Sequence, residues 1–156
     1  MIPNQEITSL LKAAIECSIF ISPTDPGLTY QELLEVGKRS DVGGLRVTPF
    51  HVVHDDRAGP CLGFRFEAEG KVIAFSGDTE WTNSLIDIGY QADLFICEAY
   101  TRDKPIATHM ALSLLERHLD KIRPKRLILS HMSDDMLARR AEVPYETAED
   151  GMIVDV

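Results

Sequence analysis

The sequence lacks long apolar runs, and its N-terminus lacks the basic segment and apolar core of a secretory signal. A membrane-spanning helix needs about 20 consecutive apolar residues, and no run in this chain approaches that length. We therefore expect no membrane span, no signal peptide and a cytoplasmic location.

Positive charge is also scarce. The chain has 16 Lys and Arg against 25 Asp and Glu, which gives a formal net charge of −9 at pH 7. Nonspecific binding to nucleic acid or to anionic lipid requires a basic surface. The composition therefore argues against DNA and membranes as partners and makes RNA an unfavourable one. It leaves metal ions open, because carboxylates bind them.

Cysteine is limited to Cys17, Cys61 and Cys97, without a CxxC pair. An odd number of widely spaced cysteines among apolar neighbours indicates buried free thiols in a reducing compartment. The chain also contains no low-complexity tract and no internal repeat. Its 156 residues, 44% hydrophobic and 26% charged, have the size and composition of one globular domain.

Strand and helix patterns alternate along the chain, which is typical of an α/β fold. Short apolar runs predict buried strands at residues 72–75, 93–97 and 126–130. Apolar spacing predicts a helix over residues 109–122, with Thr108 as its N-cap. Further strands are predicted at 45–50, 62–68 and 151–156, and further helices at 4–21, 29–36, 81–88 and 134–140.

Three predicted strands are followed by His54, Asp78 and His131. Open α/β sheets usually bind ligands at the carboxyl ends of their strands. Neutral imidazoles and a carboxylate are ligands that Zn²⁺, Mn²⁺ and Fe²⁺ accept. Each residue alone has an ordinary structural explanation, such as a helix N-cap for Asp78. Together, at the ends of separate strands, they predict a shared metal site.

The segment from Val47 to the C-terminus resembles the C-terminal half of the metallo-β-lactamase fold, in its branch of ribonuclease Z-like hydrolases. The motifs that carry the resemblance are VTPFHVVHDDRAGPCLGFRFE, KVIAFSGDT, DLFICEAY, ATHM and RLILSHMS. The resemblance implies half of an αββα sandwich, a mixed sheet with helices packed on one face. It also implies a single partial domain over residues 1–156, with linking helices in residues 1–44 and the sheet and partial metal site in residues 45–156.

The resemblance implies roles for individual residues. His54 resembles a ligand of the first metal, Asp78 the catalytic carboxylate that bridges two metals, and His131 a ligand of the second metal. His109 resembles a catalytic histidine that gives a proton to the leaving oxygen. Glu98 resembles an acid that orients His109 and offsets the lowering of its pKa by a helix N-terminus.

Two other histidines match no motif of the family. We expect His51 to be a strand residue with a local hydrogen bond. We expect His118 to be a partly charged imidazole near a helix C-terminus, where the helix dipole tolerates positive charge. Neither residue is therefore predicted to take part in the site.

The family's HxHxDH signature is missing, since the sequence contains no HxH and its first histidine is His51. The chain therefore resembles a fold that begins after the signature loop. One metal position keeps His54 and Asp78, and the other keeps Asp78 and His131. Tight binding usually takes three or four protein ligands. We expect the family's two divalent metals, Zn²⁺ or Mn²⁺ or Fe²⁺, to be absent or weakly bound in this chain.

The central strands are apolar on both faces, whereas half of a sandwich covers only one face with its own helices. The other face would expose more apolar surface than a soluble monomer tolerates. We therefore expect a partner, either a second copy in a homodimer or a missing N-terminal half that is separately encoded.

Two functions stay open. The first is a metal-dependent hydrolase, completed by its missing half, that cleaves a small phosphodiester, a lactone or another ester. The second is a catalytically inactive, truncated homologue that serves only to self-associate or to bind a partner. Bound metal and phosphodiesterase activity would distinguish the two.

Overall fold

A computed structural model describes residues 35–42, 44–55, 57 and 59–156. The predicted helix at 4–21, nearly all of the one at 29–36, and Cys17 lie outside the described residues. In the part that is described, no helix has both the length and the apolar character needed to cross a membrane. Cys97 is a fully buried free thiol, and Cys61 is partly buried.

A seven-stranded mixed sheet forms the centre of the fold, and its spatial order follows the chain from β1 to β7. The strands are β1 (Ser40–Val42), β2 (Leu45–His51), β3 (Leu62–Ala68), β4 (Lys71–Phe75), β5 (Leu94–Glu98), β6 (Leu127–Ser130) and β7 (Glu146–Thr147). The first three pairings are antiparallel and the last three are parallel. Parallel neighbours need crossover connections, so the carboxyl ends of β4, β5 and β6 share one edge of the sheet.

Over the described ranges, four short α-helices lie in the crossovers: α1 (Ser84–Gly89), α2 (Leu112–Glu116), α3 (Leu119–Ile122) and α4 (Asp134–Ala138). A 3₁₀-helix at Arg140–Glu142 follows α4. The helices bury apolar side chains in one core together with alternate residues of the parallel strands. That core includes Ala74, Phe95, Cys97, Leu129, Leu85, Ile88, Leu112, Leu115, Ile122 and Met136. The mixed sheet with helices packed on one face is therefore confirmed.

The opposite face of the sheet carries a second apolar cluster, built from Leu45, Val47, Leu62, Phe64, Phe66 and Phe75. Phe64 and Phe66 stack with ring centroids 5.7 Å apart, and each is only 2% exposed. Ile73 and Ile96 pack against this cluster and are partly buried. The bare apolar face was expected on the strands that became β4, β5 and β6, and it stays a prediction. A homodimer or a separately encoded half stays a proposal.

The predicted strands that became β3, β4, β5 and β6 are each confirmed to within one residue at either end. The predicted strand at residues 151–156 is wrong, because the described chain forms its last strand at Glu146–Thr147. Met152 N–H donates to the Glu149 carbonyl in a turn, and Gly151 there has φ of 77°. The described residues form no strand after this turn, and Ile153 is 90% exposed.

The predicted helix at residues 109–122 is also wrong as a single element. Thr108, its predicted N-cap, has φ of 68° and is not in a capping conformation. The Met110 carbonyl accepts the N–H of Tyr100, and Leu112 N–H donates to Thr101. Because these backbone groups bond to the segment after β5, the helix cannot begin before Leu112. A break between Glu116 and Leu119 then divides it into α2 and α3.

Candidate functional site

The loops after β4 and β6 bring Asp78 and His131 together at the shared edge of the sheet. The Nε2 atom of His131 lies 3.5 Å from Oδ2 of Asp78. Both side chains are partly exposed, at 43% for His131 and 31% for Asp78. A ligand from solvent can therefore reach this pair.

His109 connects the other predicted residues to this pair. Its ring centroid lies 5.3 Å from that of His131 and 4.9 Å from that of His54. The structure therefore places His54, His109, His131 and Asp78 in one continuous row. Among the contacts of the described residues, His54 reaches Asp78 through the two other histidines.

Glu98, His109 and His131 each offer a ligand atom, and these atoms lie within 4.8 Å of one another. This group differs from the predicted set of His54, Asp78 and His131. Glu98, however, already uses both oxygens: Oε1 is 2.5 Å from Nδ1 of His109, and Oε2 accepts the N–H of Thr79 at 2.5 Å. We therefore interpret Glu98 as a group that orients His109, whereas His131 and the partly exposed Asp78 have the chemistry of metal ligands.

Burial disfavours charge on both members of the Glu98–His109 pair. Burial raises the pKa of Glu98 to about 8, and the negative charge of Asp78 adds to the effect, against the backbone N–H groups of Thr79 and Met110. Burial is also the largest cause that lowers the pKa of His109, and the nearby His54 and His131 lower it further. The pair therefore favours a neutral state over an ion pair.

The helix dipole does not account for the pKa of His109. The sequence predicted His109 at the N-terminus of a long helix, but α2 begins at Leu112 and has only five residues. Desolvation is the largest cause of the lowered pKa. The expectation of a helix-dipole effect is therefore wrong, although the predicted contact between Glu98 and His109 is present.

His54 is held by a backbone group. Its Nδ1 atom lies 2.9 Å from the Thr108 carbonyl oxygen. Since a carbonyl only accepts hydrogen bonds, Nδ1 carries the proton, and the neutral ring keeps a lone pair on Nε2. Histidines that bind metals usually show this arrangement, with one nitrogen fixed by a partner and the other free.

Two residues of the site have left-handed backbone conformations. Thr108 has φ of 68° and His131 has φ of 48°. Residues other than glycine adopt this region at a cost of about 1–3 kcal/mol, and such residues cluster at functional sites. The left-handed conformation of Thr108 directs its carbonyl toward His54, and that of His131 turns the chain immediately after β6.

Tyr100 belongs to the site, although it was not predicted as a site residue from the sequence. Its ring stacks on His109 at 4.4 Å and on His131 at 5.4 Å between centroids. Its N–H donates to Met110, and its carbonyl accepts the N–H of Ser133. Its place two residues after Glu98, at the end of a buried strand, is the signal that could have identified it.

The environment of His118 differs from the expectation. Its ring stacks on Trp81 with 3.8 Å between centroids and 9° between planes. Desolvation lowers the pKa of His118, with Lys121 and Arg117 as further causes. Desolvation therefore favours the neutral ring over the expected partly charged imidazole, and His118 packs on Trp81. His51 is the exposed last residue of β2.

Residues 13–132, more than half of the chain, match the sequence model of the family described as "Beta-lactamase superfamily domain". A curated relative, "Uncharacterized protein ML1173" of Mycobacterium leprae, is 27% identical over 100 residues. The match covers 62% of this chain and 34% of the relative. The chain therefore spans about a third of the curated relative that it matches.

Three solved structures have a similar fold. The metallo-beta-lactamase fold protein YhfI of Bacillus subtilis gives a TM-score of 0.64 at 19% identity, covering 78% of this chain and 54% of that one. A diphosphatase of the PhnP family gives 0.63 at 20% identity, covering 78% and 47%. Human tRNase Z, short form, gives 0.57 at 24% identity, covering 74% and 45%. The chain belongs to the beta-lactamase superfamily domain family, and its fold is that of the metallo-β-lactamases.

Proposed function

We propose that this chain carries part of the active site of a metal-dependent hydrolase that cleaves small phosphodiesters. The observation that carries the proposal is the row of His54, His109, His131 and Asp78, in which the Thr108 carbonyl leaves Nε2 of His54 free. Two proteins of similar fold are named a tRNase Z and a diphosphatase, which favours a phosphorus centre over a carbon centre.

The donor set fits a divalent metal of the zinc type. Asp78 and His131 would hold one metal and His54 and Asp78 a second, because imidazole nitrogens with a carboxylate are ligands that Zn²⁺, Mn²⁺ and Fe²⁺ accept. When bound, such a metal polarises a phosphoryl oxygen and lowers the pKa of an attacking water. Three residues for two metals leave each position short of ligands. We therefore propose that a second copy or a separately encoded segment supplies the remainder.

Glu98 and His109 would handle the proton. In the neutral pair, the carboxyl of Glu98 donates to Nδ1 of His109, and Nε2 carries the other proton. When Nε2 gives its proton to the leaving oxygen, Nδ1 takes the proton of Glu98, which becomes a carboxylate. The raised pKa of Glu98 keeps that proton available near neutral pH, so no charged imidazole is required.

Tyr100 would keep the two imidazoles aligned during this transfer. Its ring stacks on both His109 and His131, and hydrogen bonds to Met110 and Ser133 fix its backbone. A misplacement of about 1 Å in a reacting group lowers rates by about a hundredfold. Tyr100 is therefore a positioning residue of the proposed site.

The test uses the purified 156-residue chain with added Zn²⁺ or Mn²⁺. At excess metal we expect weak metal binding and a higher melting temperature, with hydrolysis of bis(p-nitrophenyl) phosphate where a second copy of the chain completes the site. Metal at 100 times its Kd stabilises a fold by about 2.7 kcal/mol. Asp78→Ala and His131→Ala should lose both effects, whereas Asp87→Ala, on the exposed side of α1, should retain them.

Two results would contradict the proposal. Equal metal stabilisation of the chain and of Asp78→Ala would place the metal elsewhere. Metal binding without hydrolysis, even after a second half is added, would leave the non-catalytic alternative, a module that only self-associates or binds a partner.

A further inference from the structure

A groove of about 410 Å³ opens beside His109 and continues away from the metal ligands. Trp81, Ile106, Leu114 and Arg117 are among the residues that line it. We propose that this groove binds a neutral, planar aromatic group of the nucleobase type, carried by the phosphodiester substrate. The inference rests on the proposed function and specifies the substrate class of the same site.

The groove is largely preformed. Stacking on His118 holds the indole of Trp81. The loop before His109 is closed by its own hydrogen bonds, from His109 N–H to the Ile106 carbonyl at 3.2 Å and from Thr101 Oγ1 to the Lys104 carbonyl at 2.6 Å. Binding therefore costs little ordering of the walls, which is usual for small-molecule pockets.

The lining chemistry favours an aromatic group. Trp81, Ile106 and Leu114 are partly buried apolar side chains that a planar ring would cover. A volume of 410 Å³ lies within the usual range of about 300–1,000 Å³ for ligand pockets. A nucleobase has the shape and the apolar faces that such a wall removes from water.

The charges of the lining argue against a second anionic group. Among the described residues of the lining, Glu80 and Asp103 contribute two carboxylates, against the one guanidinium of Arg117. Like charges repel, so a phosphate in the groove would be disfavoured. Carboxylates do accept hydrogen bonds from amino groups on a base edge. A neutral base therefore suits the groove better than a second phosphate does.

His109 joins this groove to the proposed reaction. It lines the groove and also contacts His54 and His131. A phosphodiester that presents its leaving oxygen to His109 has one substituent next to the groove. The groove would therefore select among phosphodiesters by that substituent.

Trp81 is the single tryptophan of the chain, so its fluorescence reports directly on the groove. Adenosine and adenosine monophosphate should change the fluorescence saturably, whereas ribose 5-phosphate, which lacks a base, should not. Ile106→Glu replaces an apolar side chain of the lining with a charged one. It should therefore weaken adenosine binding by about tenfold or more, which corresponds to a loss of about 1.4 kcal/mol or more. The matched control is Ile153→Glu, at a residue that is 90% exposed and outside the groove lining.

Circular dichroism would verify that both variants fold. No response to adenosine, or an equal response to ribose 5-phosphate, would overturn the inference. The same holds if Ile106→Glu binds adenosine as the unchanged chain does. Fluorescence is measured without turnover, so this result is independent of hydrolysis of bis(p-nitrophenyl) phosphate. An active chain that ignores adenosine refutes the groove alone, and an inactive chain that binds it refutes the proposed function alone.

Discussion

The Nδ1 atom of His54 lies 2.9 Å from the carbonyl oxygen of Thr108, although the two residues are 54 positions apart in the chain. This hydrogen bond assigns the proton of the neutral imidazole to Nδ1 and leaves Nε2 unprotonated. We expect ¹⁵N NMR of the metal-free chain, at a pH where His54 is neutral, to show the proton on Nδ1. Added Zn²⁺ should then shift the Nε2 signal.

The matched control is His51, an exposed residue at the end of β2, whose signals Zn²⁺ should leave in place. A proton on Nε2 of His54 would contradict the hydrogen bond. A Zn²⁺-dependent shift on Nδ1 would contradict the assignment of the ligand atom.

Gly77 places Asp78 at the end of β4 and should not accept a side chain. Its φ is 63°, and an added Cβ would lie 2.7 Å from the Leu62 carbonyl oxygen. Gly70 is the matched control, because its φ is 78° but nothing lies within 4 Å of its Cβ position. Gly70→Ala should cost about 1–2 kcal/mol, the usual price of a left-handed residue. Gly77→Ala should cost more by about 1–3 kcal/mol from overpacking.

Urea unfolding of both variants measures this difference. Equal losses of unfolding free energy would show that the contact with Leu62 is relieved without cost. We also expect Gly77→Ala to weaken Zn²⁺ stabilisation, since any backbone shift there moves Asp78, whereas Gly70→Ala should leave it unchanged.

The central strands were predictable because they carry a strong local signal. The run that became β4 is apolar and ends in a glycine turn, so its end, and hence the position of Asp78, could be predicted. β1 and β7 were not predicted, since they have three and two residues and no periodicity develops over such lengths. Short edge strands form because a neighbouring strand offers backbone partners, which local sequence does not reveal.

The site was predictable in its residue types and less so in its supports. His54, Asp78 and His131 could be identified as residues that follow strands. The hydrogen bond from His54 to Thr108 and the stacking of Tyr100 depend on contacts between distant segments. The prediction of a single helix over residues 109–122 failed because contacts between distant segments matter there too: tertiary hydrogen bonds override helix propensity.

Thr79 links the loops that carry His54 and Asp78. Its hydroxyl accepts the N–H of Val53 at 3.0 Å and donates to the Glu80 carbonyl at 2.7 Å, and the residue is fully buried. Thr79→Val keeps the shape but leaves the Val53 N–H without its acceptor. We expect a loss of about 1–3 kcal/mol in unfolding free energy.

The control for Thr79→Val is Thr82→Val, a nearby and partly exposed position. Urea unfolding should show little change there. A Thr79→Val variant as stable as the unchanged chain would mean that water or a local shift replaces the hydroxyl. The hydrogen bond between the two loops would then contribute little to the free energy of unfolding.

Asp93 should make stability depend on pH. Its carboxylate accepts hydrogen bonds from Lys125 Nζ at 2.7 Å and from the Val72 N–H at 2.8 Å. The hydrogen bond from Lys125 is the largest cause that lowers the pKa of Asp93, followed by that from Val72. A lowered pKa in the folded state contributes stability above the unfolded value, near about 4. That contribution is lost as the pH falls through the folded value.

Asp93→Asn retains an oxygen that can accept from Val72 but removes the charge. Its urea midpoint should therefore lie below that of the unchanged chain at about pH 7, and the gap should close as the pH falls through the lowered pKa of Asp93. Asp87→Asn, in the exposed first turn of α1, controls for the change in net charge. A gap for Asp93→Asn that stays constant with pH would mean that the cost comes from geometry. A gap equal to that of Asp87→Asn would assign the effect to net charge and not to the ion pair with Lys125.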